Sequence, residues 1–242
     1  LSKSITKKTK ILIYNNYQNP LSAASSSGEM EQLAKIAIEN DLWVLSDDAY
    51  YEIRYTKQRP RSIVSIPGMK NRTIVLYTFS KKFAMTGWRL GASIGPSKIM
   101  KQIARFNIND ESCTNHFIQH ALAEVLNGND DSSEKILDTL KKRRDKCLDI
   151  LNGIEGLFIP KPESTFYLFP NVSEIMGKKG YSDLDKFRID ALKETGVSFC
   201  TRNHFGTPSI GENNKYIRLA YSGINQEDIK SGLSKFKEWV EY

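Results

Sequence analysis

Three short apolar runs, each closing on polar side chains, constrain this sequence more than any other feature. Ile11-Leu-Ile-Tyr14 closes on Asn15-Asn-Tyr-Gln-Asn19-Pro20, and Leu42-Trp-Val-Leu45 closes on Ser46-Asp-Asp-Ala-Tyr50. Thr73-Ile-Val-Leu-Tyr-Thr-Phe79, β-branched and aromatic, runs straight into Ser80-Lys81. Between the first two runs, Ser25-Ser-Ser-Gly-Glu29 supplies capping hydroxyls, and Met30, Leu33, Ile36, Ala37 and Ile38 fall with helical spacing. Strand, helix and strand in that order predict a parallel α/β layer. In open sheets of this kind ligands bind beyond the carboxyl ends of the strands. Those ends are where this chain places amide, carboxylate, phenol, hydroxyl and amine groups.

The third run carries the most chemistry. After Ser80 and Lys81 come Gly87, Arg89 and Gly91, which leave room for backbone and add a guanidinium suited to an anion. An amine fixed beside an anion-binding arginine suits a phosphorylated carbonyl cofactor held as an imine. Lys82 is the alternative amine, and Asp48 is the alternative to Asp47 among the carboxylates. A solvated lysine after a strand is the plain alternative for the Ser-Lys pair.

The stretch Thr78-Phe-Ser-Lys-Lys-Phe-Ala-Met-Thr-Gly-Trp-Arg89 closely resembles the cofactor-lysine signature of class I/II aminotransferases, the pyridoxal-phosphate enzymes of fold type I. Lysine, glycine and arginine all fall in register, and the resemblance extends over essentially the whole chain. It implies that Lys81 holds pyridoxal 5'-phosphate as an imine and that Thr78, Ser80 and Arg89 bind its phosphate. Asp47-x-x-Tyr50 matches the family spacing. Asp47 then faces the pyridinium nitrogen and Tyr50 lies near the phenolic oxygen. Asn19-Pro20 resembles the start of the Asn-Pro-Thr-Gly motif, whose asparagine bonds that oxygen, although Leu21-Ser22 depart from its second half. Tyr216-Ile-Arg-Leu-Ala220 resembles the segment whose arginine pairs with the substrate α-carboxylate, here Arg218. Arg202 and His204 are weaker candidates for the same cleft.

The fold implied is α/β: part of the fold type I large domain, a mostly parallel sheet with flanking helices, followed by a small C-terminal α+β domain. Residues 1–130 form the cofactor-binding part, 131–151 a connecting helix and 152–242 the small domain. Helical patterns cover Ser97 to Ile108, with Pro96 at the entrance, then Asn115 to Leu126 and Ser132 to Leu151, and Gly91 to Gly95 reads as a strand. Asn127-Gly-Asn-Asp-Asp131 is the clearest interruption. Short strands at Thr165–Phe169, Val197–Cys200 and Tyr216–Ala220, with helices near Asp183–Glu194 and Gln226–Val240, complete the second domain.

Composition removes other classes. The 242 residues are 40% hydrophobic and 26% charged, ordinary values for a soluble protein, and no apolar run is long enough to span a membrane. The net charge of +7 reflects a lysine-rich, solvated surface rather than nucleic-acid binding, and Lys141-Lys-Arg-Arg144 reads as an exposed helix face. Cys113, Cys147 and Cys200 are odd in number and widely spaced, which argues for a reducing, intracellular, cytoplasmic setting. His116 and His120, four apart on one helix, read as core-edge residues, too few for structural zinc. The opening Leu1 to Lys10 is basic and hydroxyl-rich, like a transit sequence. The family instead places such a lead-in before an interior strand, so the chain is expected to lack the N-terminal half.

The resemblance implies an aminotransferase of amino-acid metabolism, working as a homodimer and moving an amino group between an amino acid and a 2-oxo acid. A β-lyase of the same fold uses the same residues. A non-catalytic piece of the scaffold is the reading from another class.

Overall fold

The Ser26 hydroxyl starts the first helix. It accepts from the Glu29 backbone N–H at 3.2 Å while the Glu29 carboxylate accepts from the Ser26 N–H at 2.7 Å, a capping box that opens α1, Ser27–Glu39. A computed structural model describes residues 1–56, 62–128 and 131–242. Met30, Ala34 and Ala37 form the buried stripe of α1 and pack with Tyr14, Leu42 and Val44. Beneath the helix lie strands β1 (Ile11–Tyr14), β2 (Trp43–Asp47), β3 (Thr73–Thr78) and β4 (Gly91–Ile94), hydrogen-bonded in that order. The first three are parallel and β4 runs antiparallel to β3, so the sheet is mostly parallel.

Side chains alternate across this sheet with the period of two that a pleated strand imposes. Val44 and Ser46 of β2, and Thr73 and Val75 of β3, are buried on the α1 side. Trp43, Leu45 and Asp47 point to the other face, where Ile13 is 73% exposed and Leu76 38%. A four-residue helix α2 (Phe79–Lys82) follows β3 directly, and α3 (Ser97–Asp110) and α4 (His116–Asn127) complete the first unit with the start of α5 (Ser132–Leu151).

Two units emerge from the packing: Leu1–Gln18 with Ala23–Ile136, and Asn19–Ser22 with Leu137–Tyr242. The division falls inside α5. The second unit is built on a three-stranded antiparallel sheet of β5 (Tyr167–Leu168), β7 (Ile217–Ala220) and β6 (Cys200–Thr201), with β7 central. Helices α6 (Ser173–Lys178), α7 (Leu184–Thr195) and α8 (Gln226–Glu241) accompany it. Asp183 caps α7 by accepting from the N–H groups of Asp185 and Lys186, and Gly196 ends it in the left-handed region at φ 75. Phe187, Phe199, Phe236 and Trp239 form an aromatic core with ring separations from 5.1 to 6.5 Å.

Several expectations need correction. The third run leaves strand geometry at Thr78, because the Thr78 hydroxyl accepts the Ser80 N–H and turns the chain into α2 at Phe79. Strand β5 begins at Tyr167, not Thr165, because Thr165 is left-handed at φ 60. The Lys141–Arg144 face is only partly exposed: Arg144 is buried and donates from Nε and Nη2 to Asp145 at 2.8 and 2.6 Å. His116 and His120 are exposed rather than core-edge, their Nε2 atoms 3.3 Å apart. Within Asn127–Asp131, residues 129 and 130 lie outside the described residues.

Candidate active site

In the first unit the polar groups gather where β2 and β3 end. Asp47 closes β2 opposite Leu76, and Thr78 closes β3 two residues later, so both belong to the sheet face away from α1. Asp47 Oδ1 accepts from the Ala49 N–H at 3.1 Å. Asp48, the neighbouring carboxylate, points the other way and is buried, with Ser46 donating to Oδ1 at 2.9 Å and Ser62 to Oδ2 at 3.4 Å. Burial holds the Asp48 carboxyl above its ordinary range against the lowering effect of those two hydroxyls.

Lys81 sits in α2, half-buried, with its Nζ 6.0 Å from the centre of the buried Tyr50 ring. Its neighbour Lys82 lies 3.9 Å from Glu52, so the alternative amine belongs to an ion pair. Ser80 is buried, and its N–H donates to the Thr78 hydroxyl at 3.2 Å. Arg89 is exposed and held at φ 54, a left-handed conformation that costs a non-glycine residue energy. Its Nη1 donates to the Thr86 carbonyl at 3.0 Å, which leaves most of its donors for an anion.

In the second unit Arg218 stands in the middle of β7. Its Nη1 donates to Asn19 Oδ1 at 2.8 Å and its Nη2 reaches Cys200 Sγ at 3.5 Å. The guanidinium carbon lies 4.4 Å from the Tyr167 ring centre and 5.0 Å from that of Phe205. Among the described residues no carboxylate pairs with it, and its Nε is buried without a hydrogen-bond partner. This half-buried arginine thus lies on aromatic faces with donors to spare.

The model of the aminotransferase class I and II family matches residues 1–236. The chain belongs to this family. The aspartate aminotransferase of Sulfolobus acidocaldarius is 34% identical over 240 residues, which cover 99% of this chain and 58% of that protein. The asparagine–oxo-acid transaminase of Streptococcus mutans is 33% identical, with 100% of this chain and 60% of that protein covered. Among solved structures, the aspartate aminotransferase from Rhizobium meliloti superposes with a TM-score of 0.90 at 28% identity over 99% of this chain and 60% of that one. The aromatic aminotransferase from Pyrococcus horikoshii gives 0.87 at 33% identity over 99% and 62%. The chain thus spans about three fifths of the length of the relatives it matches.

Within this aminotransferase-family chain, the segment from Phe199 to Gly206 contributes differently from the expectation. Arg202 is occupied by Glu212, through Nε to Oε1 at 2.6 Å and Nη2 to Oε2 at 3.0 Å, and that guanidinium holds the Glu212 carboxyl below its ordinary range. His204 Nδ1 meets the Thr201 hydroxyl at 2.9 Å. The residues of the segment that touch Arg218 are Cys200 and Phe205, and Tyr167 joins them from β5. No motif marks these three. Strand pairing of Cys200 with Arg218 would have been the only signal, and it needs the register of β6 on β7.

Proposed function

We propose that this chain carries the cofactor-holding and carboxylate-binding residues of a pyridoxal-phosphate-dependent aminotransferase, which moves an amino group between an amino acid and a 2-oxo acid. The observation that carries the proposal is Lys81 at the carboxyl end of β3, its amine 6.0 Å from the Tyr50 ring, with Asp47 closing the adjacent strand. The first unit is the proposed cofactor-binding part of the large domain and the second the proposed small domain.

The residues present fit such a cofactor by their chemistry. One amine, one carboxylate on the open face, one phenol and one guanidinium with spare donors match an aldehyde, a ring nitrogen, a phenolic oxygen and a phosphate. Pyridoxal phosphate, when bound, supplies the aldehyde that takes up the amino group and a ring that draws electrons from the substrate Cα. Lys81 would hold the cofactor through Nζ, and its free amine would serve as the general base for the Cα proton. Asp47 would keep the ring nitrogen protonated, since a carboxylate placed beside it favours the charged form. Tyr50 would hydrogen-bond the phenolic oxygen, and the family motif assigns Asn19 to the same atom. Thr78, Ser80 and Arg89 would hold the phosphate, and Arg218 would orient the substrate through its α-carboxylate.

The relatives are named for amino-group transfer, which favours this reading over β-elimination by the same residues. A homodimer belongs to the proposal as well. Phe106, Ile108, Phe117 and Trp88 are 73%, 70%, 58% and 53% exposed, apolar surface of a kind that interfaces cover. So does a cytoplasmic setting, supported by the three cysteines free of disulfides; no helix among the described residues is long and apolar enough to cross a membrane.

The test is covalent. With pyridoxal phosphate added to the purified protein, borohydride reduction should fix the cofactor's mass on Lys81, and Lys81→Ala should abolish it. Cofactor fixed on another lysine would refute the assignment. Measuring amino transfer against ammonia release separates transaminase from lyase.

A further inference from the structure

Cys200 and Arg218 are cross-strand partners on β6 and β7, and their side chains touch: Nη2 lies 3.5 Å from the sulfur. Four groups hold the guanidinium. Tyr167 and Phe205 flank its carbon at 4.4 and 5.0 Å and restrain its tilt, while Asn19 and Cys200 set its rotation in the plane. These two acceptors differ greatly. An amide oxygen binds N–H strongly and a thiol sulfur weakly.

A guanidinium takes a carboxylate best through two parallel N–H bonds. Nε and Nη2 share one edge of the group. Arg202 in this same chain uses that edge to bind Glu212. On Arg218 the Nε is buried without a partner among the described residues, and Nη2 has only sulfur. An unsatisfied buried donor beside a weakly satisfied one marks a place where an acceptor pair is missing.

We propose that Cys200 is a positioning residue for Arg218. Its sulfur takes one of the two Nη2 hydrogens, keeps that nitrogen in the plane set by Asn19 in the free and the bound states alike, and leaves the other hydrogen, with Nε, for an incoming carboxylate. The thiol, half-buried beside the guanidinium, is then covered by the ligand. This rests on Arg218 being the carboxylate seat, and the test keeps the two claims apart.

The purified protein is titrated with succinate by calorimetry, with neutral succinamide as the control. Cys200→Val removes the acceptor at similar volume and should weaken succinate binding about five-fold, the loss of one modest hydrogen bond. Cys200→Ser restores an acceptor and should stay within about two-fold of the native chain. Where turnover is measured, the loss in Cys200→Val should fall on KM with kcat kept. Alkylation by iodoacetamide, mapped by peptide mass, adds a readout independent of activity. Succinate should slow modification of Cys200 in the native chain and not in Arg218→Gln, with exposed Cys113 as the unprotected reference. Circular dichroism and the unfolding midpoint check the Val variant, and Cys200→Ala replaces it if the fold is disturbed. Native succinate affinity in Cys200→Val, with Cys200 still protected in the native chain, overturns the positioning role and leaves Arg218 as the seat. Succinate that neither binds nor protects overturns both.

Discussion

Arg218 donates from Nη1 to Oδ1 of Asn19 at 2.8 Å across 199 positions of sequence. The loop that carries Asn19 is fastened at its other end. Buried Ser22 contacts the Thr165 hydroxyl at 2.6 Å and donates to the Tyr167 carbonyl at 2.8 Å. The ring of that same Tyr167 lies against Arg218. Asn19, Ser22, Thr165, Tyr167 and Arg218 therefore form one connected support, whose purpose under the proposed function is to hold a guanidinium still.

Arg218→Lys keeps the charge and loses the planar fork, so it cannot reach Asn19 and Cys200 together while offering two parallel donors. Under the proposed function the KM for amino acid and oxo acid should rise about ten-fold or more, as removal of one charge-assisted contact produces. Steady-state kinetics with both substrates checks it. An unchanged KM would remove Arg218 from the carboxylate role.

Asp48 sets a pH dependence. Its folded-state pKa is raised by burial, so the folded chain binds that proton more tightly than the unfolded one. The stability this contributes is fully present below the ordinary carboxylate range and is lost as pH rises through the raised value. Asp48→Asn keeps an acceptor for Ser46 and removes the buried charge. Its unfolding midpoint should overtake that of the native chain as pH rises through the window between the ordinary and the raised pKa. Parallel thermal melts across that window decide the matter, and a constant difference counts against it.

Gly91 is required by close approach. A Cβ there would stand 2.9 Å from the Tyr77 carbonyl oxygen, a backbone atom of the paired strand that has no room to give. Gly91→Ala should cost about 1–3 kcal/mol in denaturant unfolding, the usual penalty of overpacking. Under the proposed function it should also weaken binding of added pyridoxal phosphate, because β4 pairs Gly91 with Thr78. Gly87 has nothing within 4 Å of a Cβ and a negative φ, so Gly87→Ala should leave stability unchanged within about 0.5 kcal/mol.

Two of the three thiols, Cys113 and Cys147, should separate by chemistry. Burial pushes Cys147 up to about 12, whereas Cys113 is exposed. Iodoacetamide at neutral pH should label Cys113 within the folded chain and leave Cys147 untouched until denaturant is added. Early labelling of Cys147 would show that the packing around α5 opens.

Much of the architecture was legible because it is written locally. Apolar spacing located α1, α3, α4, α5, α7 and α8 to within a residue or two, and the runs at β1, β2 and β3 were plain. The short strands of the second unit were placed less well. A two-residue strand such as β5 has too little periodicity to read, and a left-handed Thr165 leaves no mark in composition. Helix α6, six residues long, went unread for the same reason.

By itself the sequence determined the order of elements and the register of Lys81, Gly87 and Arg89, since both depend on spacing along one strand-to-helix turn. Tertiary structure decided which side chains were left with something to offer. Asp48 is occupied because Ser62, from a turn beyond the strand, reaches it, and Lys82 because Glu52 does. Arg218 acquires Asn19, Tyr167, Cys200 and Phe205 from three separate stretches. Periodicity records which face of an element is apolar. It holds no record of which distant side chain will satisfy a given donor, because that is settled only when the elements pack.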